Sequence, residues 1–155
     1  MVIKRTDSEN KDFSKLIKSL DLEFLSRNKE AFAVCSPHNG IEKIKHVVVA
    51  YEGDKPIGCG AIREYANGVM EVKRMFVLDE YRGRGIASGI LHELEAWAKE
   101  LNYKKCILET GRGFIDAVGL YKKNKYSVIP NYKPYENIES SICFEKKLDE
   151  SLCTK

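Results

Sequence analysis

The chain has 155 residues, 43% of them hydrophobic and 32% charged, the composition of one globular domain (1–155) with a real core. A net charge of +3 without an Arg/Lys stripe among aromatics argues against nucleic acid, and no apolar run approaches the roughly 18 residues of a membrane span. The five cysteines (35, 59, 106, 143, 153) include no C-x-x-C pair and the N-terminus has no signal-peptide core, so we expect a cytoplasmic protein with reduced thiols and no metal.

In chain order, residues 2–5 read as a first strand, and Asp7 or Ser8 can cap a helix whose Phe13, Leu16, Ile17 and Leu20 share one face. Residues 21–45 are expected to hold a second short helix to about Asn28 and a loop around Ser36 to Gly40. Residues 46–51 and 57–65 read as strands joined by a turn at Glu52-Gly53-Asp54-Lys55. Asn67-Gly68, a strong hairpin signal, turns the chain into a β-rich run over 69–77. A long helix then carries Ile86, Ala87, Ile90, Leu91, Leu94, Trp97, Ala98 and Leu101 on one face. A strand over 104–110, a helix over 114–123 and strands over 126–129 and 141–147 complete the order.

The junction at Arg82-Gly83-Arg84-Gly85-Ile86-Ala87 is the strongest functional signal. Its glycines admit backbone conformations closed to other residues, and its end opens a helix whose first N–H groups are unpaired and partly positive. Strand, glycine turn and helix N-terminus make an anion cradle suited to a phosphate. A Rossmann site would need G-x-G-x-x-G directly behind the strand. Here Leu78 to Tyr81 intervene and Ser88 takes the third glycine's place, so dinucleotide binding is disfavoured. A Walker loop would need G-K-[S/T] where Ile86-Ala87 stand.

The stretch resembles the acetyl-CoA signature R/Q-x-x-G-x-G/A of the GCN5-related N-acetyltransferases, with Arg82, Gly85 and Ala87 at its specified positions. The block from Asp116 to Tyr126 is similar to the family's A-x-x-L-Y-x-x-x-G-F/Y, except that Lys125 replaces the usual glycine. That glycine closes the helix in a left-handed conformation. A Lys there would cost roughly 1 kcal/mol, so the helix is expected to end one residue early, on the more tolerant Asn124. The resemblance implies the GNAT acyl-CoA N-acyltransferase fold, an α/β (α+β) mixed sheet of six to seven mostly antiparallel strands flanked by about four helices.

It also implies the chemistry. Acetyl-CoA, as acyl donor, would be bound by Met75, Phe76, Val77 and by Arg82 through Ala87, with a backbone N–H near Met75 or Phe76 as oxyanion donor. Tyr121, in the family's Leu-Tyr position, would be the general acid for the CoA thiolate and a further CoA contact; the plain alternative is a tyrosine packed with Phe114, Ala117 and Val118. Glu71 is the candidate base, and its plain alternative is a strand residue paired with Lys73 or Arg63. Glu109 is the other possible carboxylate, with Glu64 more distant. Arg74 can shape the acceptor site or serve as a structural ion pair. Lys122, Lys123 and Lys125 can meet the 3′-phosphate or simply be solvated. His38, His46 and His92 look incidental.

The reading is transfer of an acetyl group to a primary amine by direct attack in a ternary complex. Its alternative is a non-catalytic acyl-CoA-binding or regulatory GNAT-like module. The partner would be a small-molecule or peptide amine. Residues 7–28 and 130–140 are the expected acceptor regions, and Tyr132, Pro134 and Tyr135 can line a pocket or a homodimer seam.

Overall fold

The computed structural model describes residues 1–27 and 44–148. The expected loop around Ser36 to Gly40, with His38, Cys35 and Cys153, lies outside them. Strands β1 (Val2–Thr6), β2 (His46–Glu52), β3 (Lys55–Ala66), β4 (Val69–Val77), β5 (Lys105–Gly111), β6 (Ser127–Ile129) and β7 (Ser141–Lys147) form one sheet in the order β1-β2-β3-β4-β5-β7-β6. The β1–β2, β2–β3, β5–β7 and β6–β7 pairs are antiparallel and β4–β5 is parallel, so the sheet is mixed, as expected. Three α-helices are described: α1 (Lys11–Arg27), α2 (Ile86–Glu100) and α3 (Ile115–Lys123), with a 3₁₀ turn at Asp79–Tyr81.

Two expectations about α1 are corrected. It continues to Arg27 instead of breaking at Asp21 for a second helix, because residues 18–25 contain neither Gly nor Pro to stop it. Its cap is Asn10, not Asp7 or Ser8: the Phe13 amide donates to Asn10 Oδ1 at 2.9 Å, and the Asn10 carbonyl accepts the Ser14 amide at 3.1 Å. Asp7 instead accepts the Glu9 amide in the turn before the helix.

The chain separates into two compact units, Met1–Arg63 with Val72–Leu94, and Glu64–Glu71 with Glu95–Lys155. In the first, Phe13, Leu16 and Ile17 of α1 join a buried cluster with Val47, Val49, Cys59, Ala61 and Phe76. A Cβ on Gly60 would lie 2.6 Å from Met75 Sδ and 2.9 Å from Leu94 Cδ1, so glycine there permits the close approach of α2 to the sheet. In the second unit, Cys106, Leu108, Cys143, Phe144, Tyr121, Tyr126 and Tyr135 are buried. There Glu95 accepts both the Tyr126 hydroxyl and Lys146 Nζ at 2.8 Å, which satisfies a buried carboxylate with two partners.

The end of α3 is also corrected. Asn124 is its C-cap at φ −91, and Lys125 takes the left-handed conformation at φ 72. The Lys125 amide bonds Lys122 O and the Tyr126 amide bonds Tyr121 O, the paired bonds of a Schellman motif. The accompanying contact is aromatic: the Tyr126 and Tyr121 rings meet edge-on at 5.8 Å. Asn124 adds a side-chain bond from Nδ2 to Leu120 O at 2.8 Å. Those bonds and the ring contact offset the roughly 1 kcal/mol that a left-handed lysine costs.

Candidate active site

The first unit carries the glycine loop. Gly83 and Gly85 adopt φ 78 and φ 79, and among the described residues a Cβ at either would meet nothing within 4 Å. Glycine is thus required there by backbone conformation, and the space above the loop is open. The Gly85 carbonyl accepts the Gly89 amide at 3.0 Å as the first bond of α2, leaving the preceding amides ahead of the helical ladder. No acidic residue occupies the first turn of α2, so nothing there opposes an anion. Arg82 braces the loop from below. Its Nε donates to Val77 O at 2.9 Å, its Nη2 donates to both Glu23 oxygens at 2.8 and 2.9 Å, and its guanidinium lies 5.6 Å from the Phe76 ring centre. Glu23 was invisible in the sequence because no spacing rule links a helix carboxylate to an arginine so far along the chain.

Ahead of the loop, β4 is kinked. Arg74 sits at φ 60 in mid-strand, a conformation costing roughly 1 kcal/mol or more for a side-chain-bearing residue. Such a residue turns the next amides, those of Met75 and Phe76, out of the regular ladder direction. The Arg74 carbonyl accepts Cys59 Sγ at 3.4 Å. Its guanidinium pairs with Asp21 at 2.9 Å, which gives Arg74 a structural ion pair, with an aspartate of α1 rather than a glutamate.

The second unit carries the carboxylates and the phenol. Glu71 is 2% exposed and closes the short β4–β5 ladder, paired with Ile107, although β5 continues to Gly111. Its Oε2 accepts the Tyr132 hydroxyl at 2.7 Å, a partner that sequence reading did not name. Glu109 accepts Ser141 Oγ at 2.6 Å and Glu64 accepts the Tyr103 hydroxyl at 2.5 Å. Tyr121 is buried against Tyr126 and Phe144. Burial first, and the Glu109 charge second, push its phenol well above the ordinary range, so it remains protonated at neutral pH. Among the described residues no hydrogen bond engages its hydroxyl.

The loop after β6 corrects one expectation. Tyr135 is 0% exposed, so it belongs to this chain's own core and cannot face a dimer seam. Tyr132 is half-buried, and Lys122, Lys123 and Lys125 are exposed. Among the described residues, no group of three or more His, Cys, Asp or Glu side chains is placed to hold a metal ion, and no helix is long and apolar enough to cross a membrane.

Known proteins resemble this chain in sequence or in fold. An IAA acetyltransferase of Azospirillum brasilense is 33% identical over 102 residues, spanning 65% of this chain and 67% of its own. An uncharacterized N-acetyltransferase of Bacillus subtilis (strain 168) is 29% identical over 115 residues, spanning 70% and 76%. Among solved structures, the PaiA N-acetyltransferase of Thermoplasma acidophilum in complex with coenzyme A superposes with a TM-score of 0.72 at 20% identity, over 95% of this chain and 99% of that one. The profile of the acetyltransferase (GNAT) family matches residues 13–126, most of the chain: the protein belongs to the GNAT acetyltransferase family.

Proposed function

We propose that this protein is an acetyl-CoA-dependent N-acetyltransferase that acts on a primary amine by direct attack in a ternary complex. The observation that carries the reading is the open loop with two left-handed glycines at the head of α2, in a chain of this family. The N–H groups from Arg82 to Ala87 would take the pyrophosphate, with Arg82 already spent on Glu23 and Val77 as the brace of the loop. The pantetheine arm would bond along β4 at Met75, Phe76 and Val77, where the amides turned by Arg74 are suited to the thioester oxyanion.

Glu71, through water, takes the proton from the acceptor ammonium. The neutral nitrogen attacks the thioester carbon, the adduct nitrogen gives its second proton to solvent, the C–S bond breaks, and the thiolate takes its proton from Tyr121; solvent then restores the Tyr121 proton and removes the one held by Glu71. Among the described residues the phenol has no hydrogen-bond partner, and it is kept neutral, so it carries the proton to be donated. Relatives carry names as different as IAA acetyltransferase and streptothricin acetyltransferase A, so the acceptor is sought with a panel. A polyamine, an amino acid, streptothricin and a peptide with a free N-terminus would each be offered with acetyl-CoA, and CoA release followed. Acetyl-CoA binding with no release above the amine-free rate for any of them would leave the non-catalytic module as the reading.

A further inference from the structure

We propose that Tyr132 is a positioning residue for Glu71, holding the buried carboxylate in the orientation from which it accepts the acceptor's proton. The inference rests on Glu71 as the base proposed above.

A carboxylate on a strand can still rotate about its side-chain bonds. At Glu71 the backbone is fixed by the rung with Ile107, and Oε2 accepts the 2.7 Å bond from Tyr132. The donor is itself pinned from both sides. On one side, Asn131 Nδ2 reaches the carbonyls of Tyr135, Ile138 and Ser141 at 3.2, 3.2 and 3.1 Å. On the other, the carbonyl of Lys133 accepts the Tyr65 hydroxyl at 2.9 Å. The Tyr132 ring stands edge-on to Tyr65 at 5.0 Å and to Tyr135 at 5.6 Å, and Tyr135 is wholly buried. This segment joins β6 to β7 without regular structure, so these bonds, rather than a ladder, place the phenol. Burial and the Glu71 charge push the phenol well above its ordinary value, so it remains a donor at neutral pH.

The arrangement differs from a merely satisfied pair in its consequence. A rigid donor selects one carboxylate rotamer, and a misplacement of about an ångström at a proton-transfer group can cost on the order of a hundredfold in rate. The loop would thereby govern turnover without touching acetyl-CoA.

A double-mutant cycle on the full chain tests this, with acetyl-CoA and whichever panel amine gives the highest kcat/KM. Glu71→Gln is expected to lower kcat by roughly a hundredfold or more. Tyr132→Phe keeps the ring and deletes the hydroxyl. It should lower kcat about tenfold with the acetyl-CoA KM within about twofold, and cause no further loss in the Glu71→Gln background. Tyr65→Phe, which only loosens the neighbouring carbonyl, should lower kcat about twofold to threefold and also lose its effect without Glu71. It takes the place of Tyr132→Phe if that variant does not melt cooperatively. Unchanged kcat in Tyr132→Phe, or an equal loss in both backgrounds, overturns the positioning role while leaving Glu71 as the base. Near-wild-type kcat in Glu71→Gln overturns the base, and the positioning role with it.

Discussion

The loop from Arg82 to Ala87 and the surroundings of Glu71 solve the problem of presenting polar groups in opposite ways. The loop is exposed and uses backbone: two glycines with positive φ, an open space and a helix start. Glu71 is buried and relies on side chains, with a phenol from a distant loop and an aromatic layer behind it. A backbone device is encoded within a few consecutive residues. A side-chain device is encoded in pairs such as Glu71 and Tyr132, 61 positions apart, whose meeting only the fold decides. The two should therefore fail differently when altered: the loop in affinity, the buried cluster in rate.

The largest expected effect sharpens the second half of that contrast. Tyr121→Phe should lower kcat by roughly tenfold to a thousandfold while changing acetyl-CoA affinity much less. The ring packs against Tyr126 and Phe144, and those contacts survive loss of the oxygen. The hydroxyl matters when charge gathers on sulfur. Near-wild-type kcat, measured where chemistry limits turnover, would return Tyr121 to the packing role that its helical face also allows.

Gly85→Asp addresses the first half. A Cβ there meets no atom of the described residues within 4 Å, but the aspartate would strain a backbone at φ 79 and place a negative charge at the start of α2. Acetyl-CoA affinity should fall by about a hundredfold, or ~2.7 kcal/mol, as read by calorimetry. Gly85→Ala carries the strain without the charge and should lose about tenfold or less. Equal losses in the two variants would show that conformation alone, and not the anion cradle, sets affinity.

Local signals explain what was legible. The strand over Val69–Val77, the strand over Ser141–Lys147 and the start of α2 at Ile86 were readable because alternation, helical periodicity and glycine punctuation act within a few residues. The kink at Arg74 was not, since an arginine in a β-rich run carries no sign of φ 60. The cap at Asn10 could not be told from Asp7 or Ser8 because all three, within four positions, are chemically competent. The ion pairs of Arg82 with Glu23 and of Arg74 with Asp21 were illegible for the same reason as Tyr132: charge partners on different elements follow no sequence period. Of the candidate site, the glycine loop was thus largely readable and the surroundings of Glu71 were not.

The dependence on buried neutral groups can be exposed by alkali. Burial pushes the thiols of Cys59 and Cys106 up to about 12, from an ordinary 9.0, and raises the phenols of Tyr121, Tyr126 and Tyr132 as well. Each group holds its proton more tightly in the native state. Its contribution is therefore fully present below the unfolded value and is lost as pH rises towards the folded one. Urea unfolding should show constant stability from this source up to about pH 8. Between about pH 9 and pH 12 it should fall by up to ~1.4 kcal/mol per pH unit for each titrating group. A flat profile across that interval would mean that these thiols and phenols are open to solvent.

The smallest expected effect concerns Lys125, where the two strategies meet: a backbone conformation that elsewhere calls for glycine is held by side-chain packing. Lys125→Gly removes the left-handed penalty of about 1–2 kcal/mol but gives the unfolded chain about 0.5–1 kcal/mol more conformational entropy to lose. The net gain should be about 0–1.5 kcal/mol, raising Tm by at most roughly 6 °C. The Schellman bonds from Lys125 to Lys122 and from Tyr126 to Tyr121 need no side chain at position 125, so they persist in the variant. The acetyl-CoA KM then separates two reasons for having a lysine at this position. An unchanged KM leaves Lys125 as a solvated residue that α3 tolerates because Tyr126 and Asn124 anchor its end. A rise of several fold that shrinks with added salt would place the ammonium at the 3′-phosphate, so that a strained residue is retained for its charge.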